Sequence, residues 1–524
     1  MSFAAALVLA ACGRAQVRER PGSRVVLTPP PLPTPRINGP KIYGARPHAP
    51  FLFQIAATGE RPMRFAANDL PPGLSLDGES GQITGAVAER GRHVVKLRAE
   101  NAHGAAERPL TIVIGEEIAL TPAMGWNSWN VWGGGVTQAR VEAAARALVA
   151  SGLRDHGWSY INIDDGWQGK RGGSFNAIQP NAKFPEMGAL ANEVHSLGLK
   201  LGIYSSPWRT TFNYNIGSYA DAADGRYNWI ESGSHNEFFH FRFAPDGSWI
   251  SRQKWLSRLS KWQQKRNRAR ITRELRSFGE HSFVRQDVAQ WAEWGVDYLK
   301  YDWVPVDVAH TAEMHDALTR CGRDIVYSVS NNTPPNDAAQ IAPLVNSWRT
   351  SSDVMDNWED ASGVGFTRGA WAKFQQPGHF NDPDMLVLGE VGWGQPRPTK
   401  LTGDEQYTHM SLWCLLGGPL LLGCDLEKLD PFTLGLLTND EVLEINQDSL
   451  GKQALRIAGT RTTDVFAKPL EDGSWAVGLF NRGASTARVA VNWKNFGGAG
   501  SYMVRDLWRQ QDLGIQAARF ESEV

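Results

Sequence analysis

Short apolar segments alternate with helical ones from Ile118 to about Leu443, and this alternation constrains the fold most. Helical patterns separate several of the apolar segments, for example from Gln138 to Ser151 and from Phe283 to Trp294. Repeated strand–helix units form a parallel sheet, and eight of them over about 330 residues predict a (β/α)8 TIM barrel. The eight candidate strands are 123–126, 160–164, 199–204, 296–302, 325–328, 347–349, 380–384 and 419–422.

The segments on either side of this barrel alternate with period two, which is typical of all-β domains. We therefore expect a multidomain α/β plus all-β protein. Upstream, Leu70–Asp77 and Ser80–Gly85 are turn-rich and resemble an immunoglobulin-like (Ig-like) β-sandwich module of secreted bacterial polysaccharide enzymes; we place strands at 51–55, 85–87 and 93–99. Downstream, strands at 464–468, 474–481, 487–493 and 501–506 predict an antiparallel β-sandwich. Phe520–Val524 offers no evident closing strand, so we expect the sequence to stop short of this domain's end.

These patterns divide the chain into five predicted parts. They are a signal peptide (1–12), a Pro-rich linker (13–44), the Ig-like module (45–116), the barrel (117–446) and the C-terminal antiparallel domain (447–524). The barrel carries an insertion at about 208–282, where Arg252 to Arg276 holds ten Lys or Arg and one Glu. That segment is either a solvated basic helix beside the barrel or a lid that contacts the leaving group or an anionic polysaccharide.

Charge and cysteine content exclude several classes of function. Lys and Arg number 54 against 55 Asp and Glu, and the net charge of −1 argues against a nucleic-acid partner. Cys414 and Cys424 lie in apolar surroundings, and we expect them to be core residues rather than a disulfide. No Cys/His set has the spacing of a zinc site, and we predict neither a metal nor an organic cofactor.

The N-terminus predicts export. Phe3 to Ala11 is apolar but too short to cross a bilayer, and Leu9-Ala-Ala-Cys12 resembles the end of a bacterial lipoprotein signal peptide. The preceding Met1-Ser lacks the usual basic residue. We expect a periplasmic or cell-surface protein, tethered to a membrane through lipid on Cys12.

Two carboxylates follow predicted barrel strands. Tyr298-Leu-Lys-Tyr-Asp302 ends in one, and Asp353 closes Trp348-Arg-Thr-Ser-Ser-Asp353. Active sites of such barrels lie at the carboxyl ends of the strands, and glycoside hydrolysis needs one carboxylate to attack and another to donate a proton. The structural alternatives are a strand-end cap or salt bridge for Asp302 and a helix N-cap for Asp353.

Five motifs occur in a fixed order: Met124–Trp129, Asn162–Trp167, Tyr298–Asp302, Trp348–Asp353 and Asn381–Met385. Together they resemble glycoside hydrolase family 27, whose members are mainly α-galactosidases and α-N-acetylgalactosaminidases. The resemblance covers the chain from about Leu120 to its C-terminus. It implies a retaining exo-glycosidase that acts on terminal α-galactosyl residues of oligo- or polysaccharides by double displacement.

The resemblance also implies the catalytic roles. Asp302 matches the nucleophile and Asp353 the acid/base, whereas Asp356 has the wrong spacing from Arg349. Lys300 points to the same strand face as Asp302, and its ammonium group is expected to stabilise the anionic form of Asp302. Because Asp353 must be protonated when substrate arrives, we expect burial and the Asp302 anion to raise its pKa.

Further residues would bind the sugar. Asp164 and Asp165 match the pair that holds the 4- and 6-hydroxyls of galactose, with metal binding as the alternative. Trp129 would offer its ring as a platform, Tyr204 would line the pocket, and Arg349 would donate hydrogen bonds near the 2-position; simple burial is the alternative for the two aromatic residues. Asp382 and Asp384 either support the site or shape a proline turn.

One departure from the family leaves the substituent at carbon 2 open. Many α-galactosidases carry a Glu, Trp and Pro run after the fifth strand, and here Ser330 is followed by Asn-Asn-Thr333. A small residue at Ser330 resembles the N-acetylgalactosaminidases, but Thr333 fits neither group. The alternatives are therefore an α-N-acetylgalactosaminidase, a non-catalytic glycan-binding protein and, less well suited to Asp164-Asp165, an α-glucan enzyme.

Overall fold

The protein is described by a computed structural model that covers residues 5–12, 25–225, 242–243, 249–250, 273 and 275–524. Its centre is a parallel eight-stranded sheet, and all eight predicted barrel strands are confirmed. We number them β1 to β8: Met124–Asn127, Tyr160–Asn162, Lys200–Ser205, Tyr298–Asp302, Val326–Ser330, Ser347–Arg349, Phe380–Asp382 and Leu420–Leu422.

The sheet closes on itself as a barrel. Each strand from β1 to β6 pairs in parallel with the next, and β8 pairs with β1. A single bridge between Leu386, just after β7, and Leu422 in β8 completes the ring. Gly125 lets β1 and β2 approach closely, because a Cβ atom there would lie 2.3 Å from the Tyr160 carbonyl oxygen.

Helices cover the outside of the barrel. Those of the described residues, α1 to α10, are Trp129–Trp132, Gln138–Ala150, Met187–Ser196, Val284–Trp294, Val308–Arg320, Ala338–Ile341, Trp358–Gly365, Gly403–Leu416, Pro431–Leu437 and Asp440–Asn446. Outward-facing strand residues such as Leu201, Leu299 and Val329 pack against them in one continuous core. None of these helices is long and apolar enough to cross a membrane.

Alternate strand residues face the barrel interior and divide it into layers. The lower layer is apolar and contains Tyr160, Tyr298, Val326 and Leu421. Two residues further along β4 and β5, and at the ends of the neighbouring strands, the interior residues become polar. The polar layer therefore lies at the carboxyl ends of the strands.

The Ig-like module consists mainly of two sheets over its own core. One contains Ile42–Ala45, Arg64–Asn68, Gly91–Asn101 and Gly104–Ile114, and the other contains Phe51–Gln54, Leu74–Leu76 and Gln82–Gly85. A further pair joins Arg36–Ile37 to Ala57–Thr58. The predicted strand at 85–87 was wrong: the strand ends at Gly85, where φ is 131°.

The C-terminal β domain contains strands that the sequence did not reveal. Those predicted appear at Thr463–Pro469, Trp475–Asn481, Arg488–Asn492 and Ser501–Asp506. The additional ones are Leu455–Gly459, Gln511–Ala517 and Arg519–Glu523. Arg519–Glu523 pairs with Arg488–Asn492, so the expectation that no strand closes this domain was wrong.

The predicted signal peptide also enters this domain. Ala5–Cys12 forms a strand parallel to both Trp475–Asn481 and Ser501–Asp506. The remaining short strands are Gln168–Gly172 with Ala177–Pro180, Tyr219–Ala220 with His281–Ser282, Arg242–Phe243 with Trp249–Ile250, and Glu390–Val391 with Arg397–Pro398. Most of the predicted basic segment 252–276 lies outside the described residues.

Candidate active site

The predicted site residues come together at the carboxyl ends of the barrel strands. Asp302 ends β4, and Tyr204, Ser330 and Arg349 lie at the ends of β3, β5 and β6. Asp164 follows β2 by two residues. All five side chains are buried in a region where polar groups need partners. The topology of the barrel thus places residues nearly 190 positions apart in one polar cluster.

Asp302 is held through both of its carboxylate oxygens. Tyr204 Oη donates to Oδ2 at 2.9 Å, and Asn331 Nδ2 donates to Oδ1. Burial and, to a smaller extent, the negative charge of Asp353 raise the pKa of Asp302 to about 6 against the opposing effect of the Lys300 ammonium. Asp302 is therefore oriented by neutral donors and interacts electrostatically with the second predicted catalytic carboxylate.

Lys300 contacts Asp164 directly. Its Nζ lies 2.8 Å from Asp164 Oδ2, which also accepts a hydrogen bond of 2.8 Å from Asn127 Nδ2. Burial alone would lower the pKa of Lys300, but the carboxylates of Asp164, Asp302 and Asp353 outweigh it and raise that pKa. Lys300 is thus a fixed positive charge among three carboxylates.

Asp165 is bound by the loop that follows β3. Its Oδ1 accepts hydrogen bonds from Thr211 Oγ1 at 2.9 Å and Asn215 Nδ2 at 2.8 Å, and its Oδ2 accepts one from the Asn213 backbone N–H at 2.8 Å. Burial raises the pKa of Asp165 to about 6. Among the described residues, no group of three or more His, Cys, Asp or Glu side chains is placed to hold a metal ion.

Asp353 has an environment opposite to the expected one. Its side chain is 59% exposed, and Oδ1 accepts a hydrogen bond of 3.0 Å from Arg349 Nη2. Burial alone would raise its pKa, but the Arg349 guanidinium and then the Lys300 ammonium outweigh it, so the pKa of Asp353 lies below the ordinary value. The expectation of a raised pKa was wrong for the free protein, because the sequence did not reveal the contact with Arg349.

Arg349 is shared with a second carboxylate. Its Nη1 lies 2.8 Å from Asp384 Oδ1, and Asp384 Oδ2 accepts a hydrogen bond of 2.6 Å from the Val354 backbone N–H. Asp382 in turn accepts a hydrogen bond from the Asp384 backbone N–H at 2.8 Å. These contacts favour the interpretation that Asp382 and Asp384 support the site, rather than only shaping a proline turn.

Trp129, Ser330 and Asp356 occupy distinct positions around this cluster. Trp129 is partly buried at the start of α1, just beyond the carboxyl end of β1, and packs against an apolar cluster that includes Met385. Ser330 lies opposite Asp302 in the β4–β5 pairing, and its Oγ is 3.4 Å from Arg349 Nη1. Asp356 binds Arg397 and the Lys400 backbone N–H instead, so it takes no part in this cluster.

Asn331 is a site residue that sequence reasoning missed. It directly follows β5 with φ of 73°, a left-handed conformation that Asn tolerates better than most residues. This turn aims the amide at Asp302. The available signal was the Asn331-Asn332 pair at a strand end, since Asn pairs favour such turns.

Comparisons with known proteins agree with this architecture. The family model for "Alpha galactosidase A" matches residues 121–230 and 276–448, that for "Alpha galactosidase C-terminal beta sandwich domain" matches 460–524, and that for "Putative Ig domain" matches 34–115. Residues 231–275 of the insertion thus fall outside the first model.

Individual relatives give the same result. The chain is 33% identical over 399 residues to alpha-galactosidase 2 of Arabidopsis thaliana, covering 75% of this chain and 83% of the relative. A crystal structure from Bacteroides fragilis, described as a putative alpha-galactosidase, superposes with a TM-score of 0.77 at 32% identity, covering 94% and 95% of the two chains. A family 27 β-L-arabinopyranosidase from Geobacillus stearothermophilus superposes with a TM-score of 0.60 at 27% identity, covering 78% and 94%. The protein therefore belongs to glycoside hydrolase family 27, the family of alpha-galactosidase A.

Proposed function

We propose that this protein is a retaining α-galactosidase in which Asp302 is the nucleophile and Asp353 the acid/base. The proposal rests on one observation above all. Asp302 is buried at the carboxyl end of β4, with both oxygens hydrogen-bonded and with the charge of Asp353 close enough to affect its titration. A carboxylate that only capped a strand or formed a surface salt bridge would need neither the second carboxylate nor this burial.

In the first step, Asp302 attacks the anomeric carbon of a terminal α-galactosyl residue. As the Asp302–carbon bond forms, the bond to the leaving oxygen breaks and its electron pair remains on that oxygen, which takes a proton from Asp353. Tyr204 and Asn331 hold the attacking carboxylate in one orientation, and Lys300 balances its charge. The product is a β-galactosyl ester of Asp302.

In the second step, Asp353 acts as a base. It removes a proton from water, whose oxygen attacks the anomeric carbon while the ester bond to Asp302 breaks and returns the carboxylate. Two inversions at one carbon give net retention of configuration. The 59% exposure of the Asp353 side chain gives it access to both the leaving group and solvent.

The surrounding residues suit a galactopyranosyl group. Asp164 and Lys300 together present an acceptor and a donor to the axial 4-hydroxyl, and Asp165 lies beside them for the 6-hydroxyl. Trp129 supplies an apolar face at the mouth of the barrel. Family members that prefer a pentopyranose are expected to differ at the first aspartate of this pair, and Asp164 therefore favours a hexose.

The second candidate substrate is an α-N-acetylgalactosaminide, and Ser330 favours it. The side chain at this position lies beside Arg349, where the substituent on carbon 2 is expected, and serine leaves more room there than the glutamate common in α-galactosidases. The chemistry at Asp302 and Asp353 would be the same for both sugars.

The test is hydrolysis of aryl α-galactoside beside aryl α-N-acetylgalactosaminide, with Asp302→Asn as the control. Turnover of the galactoside that disappears in Asp302→Asn supports the main proposal. Preference for the acetamido sugar supports the second candidate and makes Ser330 the determinant. Turnover of neither by the wild-type protein would contradict both and favour a binding protein on the same barrel.

We further propose that the protein is exported and tethered to a membrane through lipid on Cys12. The apolar segment from Phe3 to Ala11 before this cysteine motivates the proposal. Cleavage before Cys12 would remove most of the strand Ala5–Cys12 from the C-terminal sheet, so the two arrangements exclude each other. The mass of the mature protein distinguishes them: an acylated N-terminal Cys12 supports export, and an intact, unmodified N-terminus contradicts it.

A further inference from the structure

Arg349 makes contacts that the reaction must disturb. Nη2 binds Asp353, Nη1 binds Asp384, and the guanidinium is almost fully buried. When Asp353 takes up the proton that it will deliver, its charge disappears and Arg349 loses one counter-ion. A buried guanidinium without a counter-ion is costly, so another carboxylate must compensate for it.

Asp384 is built to remain with Arg349. Its Oδ2 is fixed by the Val354 N–H, its carbonyl oxygen accepts from Trp413 Nε1 at 2.6 Å, and its backbone has φ of 82°. These bonds hold the carboxylate against Arg349 Nη1 whether or not Asp353 is charged. The Val354 bond also attaches Asp384 to the residue that follows Asp353.

We propose that Asp384 is a positioning residue that serves as the alternate counter-ion of Arg349, taking over the guanidinium charge when Asp353 carries its proton. This rests on the proposed function, in which Asp353 is the acid. The other charged groups around the pair are the Asp382 carboxylate, which binds the Asp384 N–H, and the Lys300 ammonium, which also acts on Asp353. Asp384 touches no reacting atom and acts only through Arg349 and the Asp353 loop.

Titration behaviour agrees with this arrangement. Burial and the charges of Asp353 and Asp382 raise the pKa of Asp384 against the effect of Arg349, whereas the pKa of Asp353 is lowered. When Asp353 takes up its proton, its charge no longer raises the pKa of Asp384, and the ionised form of Asp384 beside Arg349 is favoured. The Arg349 guanidinium is thus shared by carboxylates that are not all ionised at the same time. Without Asp384, Arg349 would hold Asp353 ionised and acid catalysis would weaken.

The test is Asp384→Asn, which removes the charge with almost no change in shape and suits the left-handed backbone. The measurement is the ratio of kcat/KM for 4-nitrophenyl α-galactoside to that for methyl α-galactoside. Nitrophenolate leaves with little protonation, whereas methanol needs the acid. Because general acid catalysis is worth about 100-fold or more, we expect the ratio to rise at least about tenfold in Asp384→Asn.

Asp356→Asn is the matched control, since this buried aspartate lies in the loop that carries Asp353 but binds Arg397 and the Lys400 N–H. Its ratio should equal that of the wild type. If Asp384→Asn does not fold, Asp384→Gly, which suits φ of 82°, should raise the ratio, and added formate should lower it again. A wild-type ratio in a folded Asp384 variant overturns the inference. Asp353→Asn separates the two proposals: a ratio unchanged there would overturn the acid/base assignment itself.

Discussion

At the scale of single residues, the site pairs one carboxylate whose pKa is raised with another whose pKa is lowered. Asp302 is buried with neutral donors, and Asp353 is exposed beside Arg349. Catalysis needs Asp302 ionised and Asp353 protonated, so the productive state carries one proton on the pair. The proton must therefore leave the more basic carboxylate for the other as substrate binds.

The raised pKa of Asp302 and the lowered pKa of Asp353 predict an acidic optimum for kcat/KM. The pair holds a single proton between the lowered pKa of Asp353 and the pKa of about 6 at Asp302. Above about pH 6 the last proton leaves and activity should fall about tenfold per pH unit. The measurement is kcat/KM on an aryl α-galactoside from pH 3 to pH 9; a plateau that extends to pH 8 would contradict the titration scheme.

Asn331→Ala should weaken the nucleophile. The variant removes the donor to Asp302 Oδ1, and a hydrogen bond to a charged group is worth about 1.5–3 kcal/mol, so kcat/KM should fall roughly 10- to 100-fold. Because the lost bond favoured the ionised form, the alkaline limb should move to higher pH. Asn332→Ala, at the exposed neighbouring position, is the control and should leave both the rate and the limb unchanged.

At the scale of elements, the positions of the barrel strands were easier to predict from the sequence than the structure of the loops. The eight barrel strands, Asp302 and Arg349 could be found because a buried parallel strand has a short apolar run and ends in a polar residue. Gln511–Ala517 was missed because its polar composition hides the alternation. Asn331 and the loop around Asp165 were missed because turn conformation and side-chain contacts across loops leave no periodic pattern.

Two glycine substitutions test the element packing in opposite directions. In Gly125→Ala the new Cβ would lie 2.3 Å from the Tyr160 carbonyl oxygen, which must separate β1 from β2, and unfolding should become about 2–3 kcal/mol easier. In Gly363→Ala, within α7, no atom lies within 4 Å of the Cβ, and the helix should gain about 0.5–1 kcal/mol. Urea unfolding checks both; equal effects of the two substitutions would contradict the packing described.

At the scale of the whole molecule, the Ig-like module docks against the face of the barrel opposite the site. Asp324, before β5, accepts a hydrogen bond of 3.0 Å from the Arg46 N–H, and Lys200 Nζ contacts Tyr43 Oη. A cavity of about 100 Å³ lies at this boundary, and Tyr160 lines it. The sequence predicted the module but not its placement, since inter-domain contacts involve single residues without a pattern.

Asp324→Asn should therefore separate stability from activity. It weakens a partly buried contact with Arg46, so we expect a loss of about 1 kcal/mol in the free energy of unfolding and no change in kcat/KM. Asp316→Asn removes an exposed ion pair with Arg320 and should change neither quantity measurably. A large fall in activity for Asp324→Asn would contradict the separation of the docking face from the site.

The most direct test of the central claim is to trap the covalent intermediate. A fluorinated α-galactosyl substrate with a good leaving group forms the glycosyl-enzyme faster than water removes it, because fluorine destabilises both cationic transition states. Peptide mass spectrometry after proteolysis then locates the sugar. We predict one galactosyl adduct on the peptide that contains Tyr298–Asp302, absent in Asp302→Asn. An adduct on Asp353, or none in an active enzyme, would contradict the assignment of Asp302 as the nucleophile.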